Sequence, residues 1–302
     1  MAKKSRKQIK SPMKRYSLKD MQREFPDDKT CLDWLLNKRY PNGITCKNCG
    51  VINAKHHFIV SRKSYSCQEC GHHVHPTAGT IFHKSSTPLT LWFYAIYLVA
   101  QTRTGISAKQ LERELGVTYK TAWRMFKMIR TRLDETGDAF GSNGGNVEVD
   151  ETYVGGVRKG KRGRGAAGKT AVVGAAERKG RVKARVVPNT QSETILPFVD
   201  KTVDATAVIN TDEYAAYNKL EARGYEHVRI NHSSGEFVAG DIHTNTIEGF
   251  WAQIKNAVRG VHHGVAPDYL QQYVNEYAFR YCHRNDTTPM FETILGRVGM
   301  AI

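Results

Sequence analysis

The chain has 302 residues but little cysteine, little acid and no long apolar run, and each shortage excludes a class of protein. Six cysteines are too few for an extracellular scaffold held together by disulfides. The longest apolar run, 91–100, has ten residues, whereas a membrane-spanning helix needs about 20. No apolar stretch follows the basic first residues, so no secretory signal is expected. A hydrophobic content of 40% is enough for folded cores, which excludes a wholly disordered protein.

Acidic residues are outnumbered by basic ones, 29 against 45, and the net charge is +16. An excess of this size predicts a polyanionic partner such as nucleic acid. Three segments without any acid carry eighteen of the basic residues: 1–15, 118–132 and 158–169. The rest of the chain is therefore close to neutral. We expect the first segment to be a mobile basic arm, because it has nothing to bury and repels itself.

Four of the six cysteines form two Cys-x-x-Cys pairs, Cys46 with Cys49 and Cys67 with Cys70. Seventeen residues lie between the pairs, and a glycine that permits a tight turn follows each one. Tetrahedral zinc requires four soft ligands, so this spacing predicts a zinc ribbon with one structural Zn²⁺, in a reducing compartment. Two disulfides or a redox site are the alternatives. Five nearby histidines are expected at the surface and outside the ligand set: His56, His57, His72, His73 and His75.

Apolar spacing predicts two short helices over 18–40 and a buried helix over 89–102. Two more helices are predicted between Ser107 and Arg132, with Ser107 and Thr118 as N-caps and Gly116 in the turn. The second of these is basic and has no acid, which is typical of the recognition helix of a helix-turn-helix. Three of its side chains are candidate DNA contacts: Lys120, Arg124 and Lys127. An ordinary helical hairpin with a solvated basic face is the alternative.

The pattern changes after a glycine-rich linker, 137–146. Strands are predicted at 147–154, 170–177, 181–187 and 207–210, a short extended segment at 228–230, and helices at 192–203, 213–223, 244–258 and 267–283. This order is that of a ribonuclease-H-like α/β domain with a mixed sheet. The predicted fold class is therefore multidomain α+β. It is predicted to divide into a basic arm (1–17), a helical lead-in with the zinc ribbon (18–82), a helix-turn-helix domain (83–136), the linker (137–146) and a catalytic domain (147–302).

Three acids fall where such a fold brings side chains together: Asp150 in the first strand, Asp212 after the fourth, and Glu248 early in a later helix. Lys255 follows Glu248 by two helical turns, so both lie on one face and the lysine can meet a DNA backbone. Clustered carboxylates suit Mg²⁺ or Mn²⁺, and two such ions support a phosphodiester displacement.

Other acids and other roles are possible at these positions. Glu148 shares a strand face with Asp150 and Glu151 points the other way, so a shift in register would exchange the candidates. Asp212 also suits the N-cap of the helix predicted to follow it.

The glycine-rich basic segment 155–169 is predicted to be a loop beside these acids. We expect it to clamp phosphates, with Arg162 and Arg164 as candidate contacts. Simple solvation of the charges is the alternative.

The spacing of the acids, with 35 residues between Asp212 and Glu248 and a lysine seven positions later, resembles the DDE transposases of bacterial insertion sequences. The segments 147–156 and 241–255 resemble the subgroup with an N-terminal zinc ribbon, and the likeness extends over 18–285. At one position near the C-terminus the subgroup pattern leads us to expect asparagine, whereas this chain has Cys282.

The resemblance implies that Asp150, Asp212 and Glu248 hold two Mg²⁺ or Mn²⁺ ions. It implies a cytoplasmic, nucleoid-associated enzyme that binds the terminal inverted repeats of an insertion sequence in double-stranded DNA. Such an enzyme cleaves at the element ends and joins the 3′ hydroxyls to target DNA, as a homodimer or higher homo-oligomer. Two other functions are kept: a DNA-binding regulator with a non-catalytic ribonuclease-H-like domain, and a structure-selective nuclease of the same fold.

Overall fold

The computed structural model describes residues 16–135, 137–155, 168–178, 180–230 and 244–300. The basic arm and the candidate contacts Arg162 and Arg164 lie outside these residues. The chain divides into two compact units: unit 1 comprises Met1–Arg132 with Asn285–Ile302, and unit 2 comprises Leu133–Arg284. The sequence predicts 147–302 as one domain, whereas in the structure Asn285–Ile302 belongs to unit 1. The boundaries of the functional domains stay a prediction.

Unit 1 begins with the two predicted short helices, α1 (Leu18–Glu24) and α2 (Asp28–Arg39). The side chain of Ser17 caps α1, and that of Asp27 caps α2 by accepting from the Thr30 N–H at 2.7 Å. The predicted buried helix is α3 (Leu89–Gln101), in which Trp92 is completely buried.

The last helix of the chain, α9 (Met290–Val298), packs against α3. Phe291 stacks on Tyr16 with ring centroids 4.9 Å apart, and it meets Phe25 and Tyr97 edge-on at 6.1 Å. Aromatic pairs in these arrangements add stability beyond the area that they bury. The C-terminal helix is therefore part of the core of unit 1.

The zinc-ribbon segment forms a three-stranded antiparallel sheet in the order β1-β2-β3. Its strands are β1 (His56–Ile59), β2 (Ser64–Cys67) and β3 (His73–Val74). Cys67 lies at the end of the central strand, opposite His56 on β1. The sheet thus holds one cysteine of the second pair directly.

The predicted helix-turn-helix is confirmed as α4 (Ala108–Leu115) and α5 (Tyr119–Arg130). Both predicted N-caps are formed: Ser107 Oγ accepts from the Gln110 N–H at 3.1 Å, and Thr118 Oγ1 from the Thr121 N–H at 3.3 Å. Apolar side chains shared by the two helices, among them Leu111 and Phe126, are completely buried.

Unit 2 contains a five-stranded mixed sheet in the order β6-β5-β4-β7-β8. Its strands are β4 (Asn146–Gly155), β5 (Lys169–Glu177), β6 (Val182–Val187), β7 (Val208–Thr211) and β8 (Glu226–Arg229). The first three pair antiparallel, and β4-β7 and β7-β8 pair parallel. This order and direction confirm the ribonuclease-H-like fold.

Helices cover both faces of this sheet: α6 (Ser192–Thr202) on one, and α7 (Asn245–Gly260) and α8 (Pro267–Cys282) on the other. Alternate residues of β4 divide between the faces, as strand geometry requires. Val147 and Val149 pack on the α6 face, whereas Val154 packs on the α7 face. Asp150, in step with Val154, therefore points towards α7.

One predicted element is wrong. The segment expected to be a helix over 213–223 forms two short 3-10 turns, Ala215–Tyr217 and Glu221–Arg223. Tyr214, Tyr217 and Leu220 all join the core on the α6 face. The Asp212 side chain accepts from the Tyr214 N–H two residues later, and local bonds of this kind compete with an α-helix.

Among the described residues, no helix combines the length and the apolar character that a membrane span requires.

Candidate functional site

The four cysteines of the zinc ribbon converge on one point. Their sulfur atoms all lie within 4.8 Å of one another. Cys46 Sγ is 3.5 Å from Cys70 Sγ, and Cys49 Sγ is 3.9 Å from Cys67 Sγ. Sulfurs about 2.3 Å from a tetrahedral zinc lie about 3.8 Å apart, so this cluster fits a structural Zn²⁺. In the part of the chain that the structure describes, the group consists of cysteines alone, and no histidine joins it.

Backbone turns of the same kind shape the two halves of this cluster. The Gly50 N–H donates to the Cys46 carbonyl and the Gly71 N–H to the Cys67 carbonyl, both at 2.9 Å. Gly50 has φ 72° and Gly71 has φ 73°, a left-handed conformation that glycine adopts without cost. The glycine after each cysteine pair therefore allows the turn that directs both thiolates inward.

Asp150 lies within β4, and Asp212 directly follows the neighbouring strand β7. The parallel register pairs Glu148 on β4 with Asn210 on β7, and each aspartate follows two residues later. Asp212 Oδ1 accepts from the Tyr214 N–H at 2.9 Å, which turns the chain at the end of β7. The buried Thr211 hydroxyl donates to the Asp212 carbonyl at 2.8 Å and fixes the same backbone.

Glu248 lies in the first turn of α7 and is exposed. The Thr244 hydroxyl donates to its Oε1 at 2.8 Å. Within the described residues, the three acids do not form a group whose oxygens all lie within 4.8 Å, as the cysteine sulfurs do. The fold brings the acid-bearing elements together, and the glutamate carboxylate is held at the N-terminal end of its own helix.

Glu148 is completely buried and joins β4 to the start of α7. Its Oε2 accepts from the backbone N–H groups of Thr246 and Ile247 at 2.7 and 3.0 Å. Its Oε1 accepts from the Thr246 hydroxyl at 2.8 Å and from Arg178 Nε at 3.2 Å. A carboxylate here satisfies N–H groups that have no partner within the helix and complements the positive end of the helix dipole.

Glu151, the other neighbour of Asp150 in sequence, is buried on the opposite face of β4. The Tyr217 hydroxyl donates to Glu151 Oε2 at 2.7 Å. Burial and the nearby acids raise the pKa of Tyr217 well above its ordinary value. The tyrosine therefore remains a hydroxyl donor, and this interaction ties the 3-10 turn Ala215–Tyr217 to the strand that carries Asp150.

Negative charge is crowded around Asp150. Burial, Glu151 and Asp212 together raise the pKa of Asp150 to about 7. A hydrogen bond from Trp251 acts in the opposite direction and lowers it. Burial lowers the pKa of the half-buried Lys255, and the negative charge of Asp150 opposes that shift. Asp150 and Lys255 are thus close enough to interact.

The predicted DNA contacts on α5 have different environments. Lys120 and Arg124 are exposed, whereas Lys127 is half-buried with its Nζ 5.4 Å from the centre of the Trp123 ring. Arg130, also part of the basic pattern, is buried with its guanidinium 3.5 Å from the centre of the Phe126 ring. The outward basic surface of α5 therefore ends near Lys127.

Sequence reasoning missed two roles near the acids. The sequence presents Glu148 only as an alternative to Asp150, although an acid two residues away on the same strand face is a signal for a second contact on that side. The sequence does not indicate Trp251 as a hydrogen-bond donor. An aromatic residue on the apolar side of a helix predicts packing, and the sequence does not show which group accepts its N–H.

The strand order and strand directions of unit 2 define a ribonuclease-H-like protein. Residues 143–282 match the ISXO2-like transposase domain, and residues 26–73 match the transposase zinc-ribbon domain. The chain is 30% identical over 278 residues to an uncharacterized protein in transposable element ISH50 of Halobacterium salinarum, covering 85% of this chain and 91% of that protein. The chain therefore belongs to the ISXO2-like transposase family with an N-terminal zinc ribbon, and the family resemblance seen in the sequence is confirmed.

Two further similarities are weaker. An uncharacterized transposase-like protein of Haemophilus influenzae is 31% identical over 96 residues, which cover 32% of this chain and 76% of that protein. The crystal structure of a pre-cleavage Mos1 transpososome aligns with 71% of this chain and 79% of its own chain, at 10% identity and a TM-score of 0.22. Membership of a transposase family implies DNA binding.

Replacing Cys49 with serine should remove the structural zinc. Three thiolates and a hydroxyl bind zinc far more weakly than four thiolates, so the bound metal should fall from one equivalent per chain to a small fraction. Atomic absorption on the purified full chain measures this. Cys282→Ser is the matched control, because Cys282 lies in unit 2, outside the cluster, and should leave the zinc content unchanged. Full zinc retention by Cys49→Ser would contradict the assignment.

Replacing Glu148 with alanine should destabilise unit 2 by about 3–5 kcal/mol, because it leaves Arg178 and the α7 N-terminus without their buried acceptor. Urea unfolding followed by circular dichroism measures the loss. Asp200→Ala is the control: it also removes an ion pair, with Arg223, but both side chains there are about 40% exposed and the cost should stay below about 1 kcal/mol. Equal losses in the two variants would show that Glu148 does not hold α7.

Proposed function

We propose that this chain is a DDE transposase that binds the terminal inverted repeats of an insertion sequence, cleaves at the element ends and transfers the 3′ hydroxyls into target DNA. One observation carries the proposal. Asp150 lies within β4 just beyond its parallel pairing with β7, Asp212 directly follows β7, and α7, which carries Glu248, is bound to β4 through Glu148. The three acids expected of a catalytic member of this family therefore lie on adjoining elements of this chain.

Asp150, Asp212 and Glu248 would hold two Mg²⁺ or Mn²⁺ ions. Burial and the neighbouring acids Glu151 and Asp212 raise the pKa of Asp150 to about 7, and the part due to the neighbouring acids supports this, since a cation relieves repulsion among carboxylates. Two such ions, when bound, activate the attacking oxygen and stabilise the leaving one in phosphodiester chemistry. Water is the nucleophile for cleavage and a DNA 3′ oxygen for strand transfer, so no covalent bond to the protein is required.

The alternatives to Asp150 on β4 have other partners. Glu148 binds the start of α7 and Arg178 through both of its oxygens, and Glu151 binds Tyr217 on the far face of the sheet. These contacts support Asp150 as the acid of β4 that acts in the site. Lys255, close to Asp150, would contact a DNA phosphate.

Unit 1 would supply recognition of the element ends. Lys120 and Arg124 project from α5 into solvent, and Lys127 borders them, as expected of a helix that enters the major groove. The partner is double-stranded DNA, as transposon ends and as target. Joining two ends in one reaction requires two active sites, so a homodimer or higher homo-oligomer is proposed.

Replacing Asp150 or Asp212 with asparagine, or Glu248 with glutamine, should lower end cleavage and strand transfer about a thousand-fold or more, because each variant removes a charged ligand worth several kcal/mol. Binding to the end sequence should persist. A labelled end fragment in Mg²⁺ measures cleavage and joining, and an electrophoretic shift measures binding. Glu213→Gln, next to Asp212 and exposed, is the control and should react normally.

Two outcomes would contradict the proposal. Wild-type protein that binds ends and yields no cleaved or joined product would favour a regulator. Metal-dependent nicking of branched DNA without preference for an end sequence would favour a structure-selective nuclease.

Replacing Arg124 with alanine should weaken binding to the element end by about 1–3 kcal/mol, or reduce the slope of log affinity against log salt by about one if the contact is to phosphate. Fluorescence anisotropy at several salt concentrations measures both quantities. Lys219→Ala removes an exposed positive charge outside α5 and should change neither. An equal loss in both variants would indicate only a general charge effect and would contradict a recognition role for α5.

A further inference from the structure

Trp251 connects α7 directly to Asp150. Its indole Nε1–H donates to Asp150 Oδ2 at 2.9 Å. The side chain is 3% exposed and belongs to the core between the sheet and α7. A buried indole N–H requires an acceptor, and here the acceptor is a carboxylate, which makes the stronger, charge-assisted kind of hydrogen bond.

The neighbouring strand leaves space for this indole. Gly174 on β5 is the register partner of Asp150. A Cβ at position 174 would lie 2.6 Å from Trp251 Cη2 and 2.8 Å from its Cζ2, closer than real Cβ contacts. Glycine in the middle of a strand otherwise weakens it, so its presence opposite Asp150 has a packing reason.

Two contacts therefore fix α7 on β4, one on each side of Glu248 in the sequence. Glu148 binds the backbone of Thr246 and Ile247, and Asp150 binds the side chain of Trp251. The helix turn that carries Glu248 lies between these attachments. The Trp251 contact thus sets the orientation of the Asp150 carboxylate. It also sets the position of this carboxylate relative to α7, the helix that carries Glu248.

We infer that Trp251 is a positioning residue for Asp150, and that Gly174 is required because it leaves room for the indole. The inference rests on the proposed function, in which Asp150 is a metal ligand. A donor that holds one carboxylate oxygen limits rotation of the group, so the other oxygen keeps a fixed direction. Groups that orient metal ligands in this way typically contribute 10–100-fold to metal affinity or activity.

The test removes the N–H and keeps an aromatic ring. Trp251→Phe in the full-length, zinc-loaded protein should weaken Mn²⁺ binding about 10–100-fold, as measured by the paramagnetic resonance signal of free Mn²⁺. The Mn²⁺ concentration for half-maximal end cleavage should rise by a similar factor. Tyr277→Phe is the matched control, because it removes a buried hydroxyl in the same core, 3.0 Å from His262 Nε2, and should leave Mn²⁺ binding unchanged.

Gly174→Ala provides a second, independent variant that keeps the indole. Its added methyl group should displace Trp251 and produce a similar loss of Mn²⁺ affinity. Phenylalanine lacks the fused ring that contributes the two atoms nearest to position 174, whereas Ile247 Cδ1 stays 3.1 Å away, so Gly174→Ala should cost clearly less in the Trp251→Phe background than in the wild type. Strong non-additivity of this kind is expected when two residues act through one contact.

The outcomes separate this inference from the proposed function. If Asp150→Asn abolishes Mn²⁺ binding and cleavage while Trp251→Phe and Gly174→Ala match the wild type in both, the positioning role is wrong and the proposed function stands. If Asp150→Asn itself binds Mn²⁺ and cleaves normally, the proposed function fails. If Trp251→Phe does not fold, Gly174→Ala decides, and wild-type Mn²⁺ affinity in that variant overturns the inference.

Discussion

The arrangement of unit 2 depends on one buried carboxylate. Glu148 has no exposed surface, and its two oxygens accept hydrogen bonds from the first turn of α7 and from Arg178. A buried charge is costly unless it is paired in this way, so strand and helix cannot separate without exposing or orphaning it. Because the bonded turn is the one that carries Glu248, the same contact that completes the helix end also determines where that acid lies. The acid that looked like an alternative to Asp150 is therefore part of the framework.

The strand order explains why the other two acids are neighbours although 61 residues separate them. β4 is central, with antiparallel β5 on one side and parallel β7 on the other. β4 and β7 run in the same direction, so Asp150 and Asp212, which both follow the paired segment, come close together, and β5, β6 and α6 account for most of the intervening chain. Burial and then repulsion from Glu151 and Asp212 raise the pKa of Asp150. Sheet topology thus creates a local excess of negative charge within a basic protein.

Local signals made most of the architecture predictable. The cysteine pairs, the caps Ser107 and Thr118 and the alternation along β4 all act over a few residues, and the structure contains the elements that they predict. The segment after Asp212 was predicted as an α-helix because its local spacing fits one, but burial of Tyr217 against Glu151 favoured 3-10 turns. The hydrogen bond from Trp251 to Asp150 was equally inaccessible, since it joins residues 101 positions apart and depends on the register of β4 and β5. Such contacts depend on tertiary packing.

The position of α9 has a consequence for biosynthesis. This helix, which follows the whole of unit 2 in the sequence, contributes Phe291 to the aromatic core around Tyr16 and Phe25. A ribosome therefore exposes α1 to α5 long before the residues that complete their core have been made. Unit 1 becomes complete only when synthesis of unit 2 is finished, so a prematurely terminated chain would carry a helix-turn-helix on an unfinished core. Such a chain would be a substrate for proteases and a poor competitor for the DNA sites of the full-length protein.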